Sequence, residues 1–497
     1  MNIFKNAKTK VMIGVLLSML LAALDQTIIA TAMPKIAGEF NSLENLSWIF
    51  TAYMLASTVS VPIYGKLSDL YGRKMFFIGG IIIFLVGSVL SGMSQNMTEL
   101  IIFRALQGLG AGAIMVNAFA IIGDLFSPRE RGKWQGIIGG VFALSSVIGP
   151  VLGGFLTDHI SWRWTFYINI PLGMIALAVI WRFMPKIVSN LKKKSIDYIG
   201  ATSLALFLTP LLLISVWGGN QYAWSSAQIL GLGAVMSLSL AVFIIAERKA
   251  EEPIVPLGLF RNRIFLVSIL ISFLSAIGMF GAIFYIPLFA QTVLGFSAID
   301  SGTVLTPLTL SIVFSSIISG QIISRTGKYK WLAVFGMFVS MIATFWLSRL
   351  TPSVTQTGLF IRMIFTGIGL GIAMPIFNIV VQNAFEHSKL GVVTASLQLF
   401  RSIGGTIGVA VMGSIVNHAL ASQVASDPRQ MKNVFTLAIN KAFLVSFSVA
   451  ALAFIASFFL KEIALRKTEK PILEEIGQEF DAELGQALPE DEPDLIK

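Results

Sequence analysis

The chain has 497 residues, 55% of them hydrophobic and only 12% charged, a composition that excludes a soluble protein of this size. It contains no cysteine, which excludes disulfides, thiolate metal sites and cysteine nucleophiles. The net charge of +10 does not call for nucleic acid, because the basic residues gather in short connectors on one side of the apolar runs.

Those runs are about 20 residues long, the length a helix needs to cross the hydrocarbon core. A β-barrel would show short alternating segments instead. The chain therefore reads as an all-α polytopic membrane protein. Fourteen spans are expected near 11–32, 46–66, 75–94, 100–122, 136–157, 164–184, 198–218, 227–247, 265–291, 301–324, 331–349, 356–384, 394–419 and 440–461. The first run lacks a small-residue cleavage site and reads as a retained span. Basic residues precede span one and follow spans two, four, six, eight and ten. They include Lys5, Lys8, Lys10, Arg73, Lys74, Arg129, Arg131, Lys133, Lys186, Arg248 and Lys328. The alternate connectors carry few, with Lys35, Arg163, Arg429 and Lys432 as exceptions. This asymmetry places both termini in the cytoplasm and the chain in the cell membrane.

In chain order, the first chemistry-bearing residue is Asp25, in Leu24-Asp-Gln-Thr-Ile-Ile-Ala-Thr-Ala-Met-Pro34. It is the one carboxylate placed deep in the membrane, where an acid is costly when ionised and is suited to carrying a proton. At about 1.5 Å per residue, Asp25 in span one and Arg104 in span four sit at similar depth, so Arg104 is the expected partner. The bland alternative is a static ion pair that holds the two spans together.

Between spans two and three lies Gly65-Lys-Leu-Ser-Asp-Leu-Tyr-Gly-Arg-Lys74. Gly65 and Gly72 permit close approach and a sharp turn. Asp69, Arg73 and Lys74 put charge at the membrane face. The stretch aligns with Gly320-Gln-Ile-Ile-Ser-Arg-Thr-Gly-Lys-Tyr329. Arg104, Gly108, Gly110 and Gly112 are echoed by Arg362, Gly367, Gly369 and Gly371, and Gly153-Gly154 by Gly404-Gly405. Three echoes in one order point to two six-helix halves related by a parallel repeat. The units expected are an N-terminus (1–10), an N-terminal bundle (11–184), two additional helices with their connectors (185–263), a C-terminal bundle (264–461) and an acidic tail (462–497).

Gly149-Pro-Val-Leu-Gly-Gly154 in span five joins a helix-distorting proline to small residues, which suits either a hinge or ordinary close packing. Gln26, Tyr53, Asn117, Tyr285, Gln291, Asn378 and Gln398 are polar residues within or beside spans. They are candidates for anchoring an apolar pocket, against the plainer reading that each bonds between helices. The connector 251–263 is mixed in polarity and is expected along the membrane surface. In the tail, Ile472, Ile476, Phe480, Leu484 and Leu488 recur at helical spacing, on an otherwise acidic segment. There is no GxxxxGK[ST] loop, HExxH or GxSxG, so ATP hydrolysis and chemistry on a bound substrate are not expected.

From about Ala23 to Phe459 the chain resembles the major facilitator superfamily, and most of all its fourteen-span drug–proton antiporter family of multidrug exporters. Gly65–Lys74 is similar to the superfamily's second-to-third-helix loop. Leu24–Pro34, Arg104–Gly112, Gly149–Gly154 and Trp162-Arg-Trp-Thr-Phe-Tyr-Ile-Asn-Ile-Pro171 are similar to signatures of the exporter branch. Ser145 departs from a usual glycine, and Ser324 replaces the acid in the second loop copy. The resemblance implies a major facilitator fold of two six-helix bundles plus two helices between them. It implies alternating-access export of hydrophobic, cationic or amphipathic compounds against protons, with Asp25 and Arg104 in proton transfer and no cofactor beyond the proton gradient. It also implies that Asp69, Arg73 and Asp124 form a charge cluster stabilising the outward-open state, with the switch mainly in the N-terminal half. A lipid bilayer, protons and a small hydrophobic substrate are the expected partners of a monomer that binds no nucleic acid. Export of an endogenous amphiphile, or a non-transporting receptor or scaffold, are the rival readings.

Overall fold

The computed structural model describes residues 2–42, 48–185, 197–219, 221–296, 303–386, 389–421 and 428–465. The helical expectation for the tail at Ile472–Leu488 and the basic residues Lys186 and Lys192–Lys194 lie outside these.

The N-terminal half contains α1 (Asn2–Phe40), α2 (Trp48–Tyr71), α3 (Arg73–Met93), α4 (Met97–Leu125), α5 (Pro128–His159), the short α6 (Trp164–Tyr167) and α7 (Asn169–Phe183). Then come α8 (Tyr198–Trp217) and α9 (Ala227–Lys249). The C-terminal half contains α10 (Arg263–Thr292), α11 (Leu305–Thr326), α12 (Lys330–Leu347), α13 (Gln356–Ala384), α14 (Leu390–Ala421) and α15 (Pro428–Phe458). Among the described residues, thirteen helices are long and apolar enough to cross a membrane. The remaining long helix, α2, occupies the second expected span and carries Thr51, Tyr53, Ser57, Thr58 and Ser60 along its length. The sixth expected span is broken into α6 and α7, because Pro171 cannot donate to the Tyr167 carbonyl four residues back.

The repeat is visible in how the helices touch. Small residues let helices approach where no hydrophobic drive between helices exists in lipid. A methyl added at Gly108 would strike the Tyr53 carbonyl on α2, and one at Gly367 the Leu308 carbonyl on α11. Gly110 seats against Phe84 on α3, and Gly369 against Ser340 on α12. Gly153 meets the Ile28 carbonyl on α1, and Gly404 the Phe273 carbonyl on α10. Both copies of the loop turn on a glycine at positive φ, Gly72 at 98° and Gly327 at 69°, a backbone that residues with a Cβ rarely adopt.

The halves meet along two helix pairs. Gly65 of α2 packs on Gly391 and Ala395 of α14, and Gly320 of α11 packs on Gly132 of α5. Gln382 of α13 donates to the Phe119 carbonyl of α4 at 3.2 Å. Contact is therefore continuous across the face that carries the basic connectors, which is closed here.

The two additional helices pack on each other, and α8 also touches α2 and α14. An apolar cluster of Leu204, Leu208, Phe243, Ile254, Val255, Leu399 and Ile403 joins them to the C-terminal half. In the connector that follows, Ile254, Val255 and Leu259 are buried against the protein. The Glu247 carboxylate accepts the Ile254 and Val255 amides at 3.0 and 3.2 Å. Lys66 bonds Glu252 at 2.6 Å, so this segment is pinned to α2.

Candidate proton-coupling site and conformational latch

Asp25 and Arg104 meet inside the N-terminal bundle, at 1% and 0% side-chain exposure. Arg104 Nη1 donates to Asp25 Oδ2 at 2.6 Å. Gln107 Nε2 and Asn169 Nδ2 donate to Asp25 Oδ1 at 2.7 and 2.9 Å. Ser88 Oγ accepts from both amides and donates to the Phe166 carbonyl. Arg104 Nη1 also reaches Gln107 Oε1 at 2.7 Å, and its Nε reaches the Ile49 carbonyl at 3.2 Å. The guanidinium lies over the Tyr53 ring, 4.3 Å from its centroid. Helices α1, α2, α3, α4 and α7 thus converge on one carboxylate. Three donors from α4 and α7 therefore hold a carboxylate that is shielded from solvent.

The sequence pointed to the acid and its arginine. It did not single out Gln107, one helical turn from Arg104, or Asn169, which stands where α7 begins after the break. Neutral amides do not stand out among polar residues in apolar runs.

The opposite end of α1 is tied down by the Trp162–Pro171 stretch. Glu39 accepts from Trp162 Nε1 at 2.6 Å and Arg163 Nη1 at 2.7 Å. Although partial burial pushes the Glu39 carboxyl up, these two donors hold it below the usual range. Along α1, Thr27 Oγ1 donates to the Ser145 carbonyl at 2.9 Å. Gly149 and Gly153 press against Thr27, Ile28 and Thr31, whereas Gly154 faces open space. Helix α5 runs unbroken through Pro150, whose side chain lies outside the described residues.

Asp69 lies at the closed face. It pairs with Arg73, which also bonds Asp124 through Nε at 3.0 Å and Ser68 Oγ at 2.6 Å. Its two oxygens accept the Gly391 and Val392 amides at 3.1 and 2.9 Å. A carboxylate of the N-terminal half therefore caps the first turn of α14 in the other half, where free amides and the helix dipole favour negative charge. In the second copy, Ser324 makes no such reach, and α5 opens instead on its own capping box of Ser127 and Glu130.

The remaining polar candidates scatter. Tyr53 belongs to the Arg104 site. Gln26 is half-buried next to Asp25. Asn117 donates to Ala113 within its own helix. Tyr285 ties α10 to the Val409 carbonyl of α14, and Gln291 is exposed. Asn378 lines a cavity in the C-terminal half, and Gln398 is bonded by Arg401 beside it.

Residues 15–409 match the Major Facilitator Superfamily family model. The chain belongs to the major facilitator superfamily. It is 44% identical over 413 residues to the multidrug transporter protein MdtP of Bacillus subtilis, covering 83% of this chain and 76% of that protein. It is 40% identical over 440 residues to multidrug resistance protein 3 of the same organism, covering 88% and 83%. Its fold matches that of the proton:xylose symporter XylE with a TM-score of 0.67 at 14% identity, over 95% of this chain and 99% of that one. This superfamily member is thus a multi-pass membrane transporter, all helical, in the major facilitator fold.

Proposed function

We propose that the protein is a proton-coupled exporter of hydrophobic, amphipathic compounds from the cytoplasm, working by alternating access. The observation that carries this reading is the buried Asp25, held by Arg104, Gln107 and Asn169 at the point where five helices meet. A membrane-buried acid held by donors on two other helices is suited to coupling a proton to helix position. The names of the Bacillus relatives support drug export, and the basic connectors support a cytoplasmic location for the closed face and both termini.

The contacts supply a route from proton to gate. Protonation of Asp25 from outside weakens the hold on Arg104 and frees α1 to shift. Helix α1 bears through Thr27, Ile28 and Thr31 on Gly149 and Gly153 of α5. Farther along α5, Gly132 and Gly136 bear on Gly320 and Ile317 of α11 in the other half. A shift of α1 would therefore reach the seam between the halves through the close contacts that glycines of α5 make on both sides. The proton gradient is the energy source, and one chain holds all the residues involved.

The test is Asp25→Asn in inverted vesicles beside wild type. The variant is expected to reach the membrane folded, since asparagine keeps an acceptor for Arg104, and to lose pH-driven efflux. Undiminished pH-driven efflux would reduce the pair to a static tie.

A further inference from the structure

We propose that Arg401 forms an anion-binding subsite in the central region of the C-terminal half, which selects amphipathic substrates bearing a carboxylate or similar acceptor group. This deepens the exporter reading and rests on it; it also reverses the charge expected of the substrates.

Arg401 lies eleven residues past Leu390, the first residue of α14. At about 1.5 Å per residue its Cα is about 17 Å along the helix, near the middle of a hydrocarbon core of about 30 Å. A guanidinium at that depth is costly, and such groups pair with an acid or serve a ligand. Arg401 is half-buried; of the fully buried arginines, Arg131 is held by the Phe126 and Gly123 carbonyls and two others have their acids. Arg73 has Asp69 and Asp124, and Arg104 has Asp25. Arg401 forms no ion pair among the described residues, and its one hydrogen-bond acceptor among them is the neutral Gln398 Oε1. A guanidinium carries five N–H donors in a planar fork matched to a carboxylate.

Arg401 also lines a narrow cavity of about 20 Å³ between α10, α13 and α14, which a ligand would widen on entry. Ser272, Ser275 and Asn378 add neutral polar groups to its wall, and Met279, Met374 and Phe377 add soft apolar surface. A few polar groups on an apolar wall is how small-molecule sites are built, and this one has a cation at its polar end. Helix α14 touches α2 and α4 of the other half, so the subsite sits beside the seam that opens and closes. A cationic substrate would meet Arg401 with no free acid to offset it. The buried carboxylates Asp25, Asp69, Asp124 and Glu247 are all engaged elsewhere.

Three fluorescent probes with one aromatic body separate the possibilities: dansylglycine with a carboxylate, dansylamide without charge, and a dansyl trimethylammonium. Binding to the purified full chain is read by fluorescence with no proton gradient, and flux is read separately in proteoliposomes. Dansylglycine is expected to bind wild type about tenfold tighter than dansylamide and the cation most weakly. Arg401→Gln is expected to abolish that preference while leaving dansylamide binding within about twofold, and Arg401→Lys to retain part of it, because lysine keeps the charge without the fork. Equal weakening of all three probes by Arg401→Gln would make the residue structural and overturn the proposal, as would tightest wild-type binding of the cation or binding of none. Proton-driven flux of dansylamide without a carboxylate preference would leave the exporter reading standing and this one refuted. Carboxylate-selective binding without proton-driven flux would do the reverse.

Discussion

Asp25 takes three hydrogen bonds, one from a charged guanidinium and two from neutral amides, and their removal should not be equivalent. Losing Arg104 leaves a buried, uncompensated charge. Losing Asn169 removes a neutral donor from Oδ1 but leaves Arg104 and Gln107 in place. A hydrogen bond to a charged group is worth about 1.5–3 kcal/mol. Asn169→Ala should therefore slow proton-driven efflux while transport persists, and Arg104→Ala should abolish it. Initial rates for Asn169→Ala equal to wild type, normalised to protein in the membrane, would mean that Asn169 only packs. The pair itself was legible in the sequence, since residue rise converts position in a span to depth and charges are rare there. Arg401 escaped for the opposite reason: with no acid at matching depth, it had no partner to point to it. A lone arginine inside the otherwise apolar run 394–419 was the signal.

Among the elements, α5 links chemistry to motion, and its glycines differ in what they face. Gly153 abuts the Ile28 backbone, which cannot step aside as a flexible side chain can, whereas a methyl on Gly154 meets nothing within 4 Å. Overpacking of this kind costs about 1–3 kcal/mol. Gly153→Ala should slow efflux about tenfold or more, and Gly154→Ala should cost far less, with initial rates normalised to protein in the membrane. Equal losses would shift the cause from α1–α5 contact to some other property of the stretch. The element order was readable because spans are long and apolar, and the repeat because its glycines keep their spacing. The split between α6 and α7 was not, since Pro171 sits inside a run that hydropathy scores as continuous. The burial of the connector after α9 was hidden too, because Lys66, which holds it through Glu252, is 186 residues away in the chain.

At the scale of the whole molecule, the halves are held together at the basic face by an asymmetric device. Only the first loop copy sends a carboxylate across the seam, and Asp69 there both pairs with Arg73 and caps α14. Close by, Lys66 fastens the connector from the additional helices to α2 through Glu252. Neutralising Asp69 weakens a charge–dipole contact and an ion pair together, and a loss of about 1.4 kcal/mol is a tenfold change in an equilibrium. While the closed state remains the majority, that change scarcely alters the fraction competent to bind substrate from the opposite side, so apparent affinity holds. The minority open state, by contrast, grows about tenfold. The absence of native cysteine makes this measurable. Val61 lies 4% exposed at the seam, in contact with Val116 and Ala395, so Val61→Cys reports when the seam parts. In that background Asp69→Asn should raise the rate of labelling by an impermeant maleimide from the basic face about tenfold and lower the turnover rate, with substrate Kd within about twofold. Unchanged labelling with weakened binding would place Asp69 in substrate recognition and remove the latch.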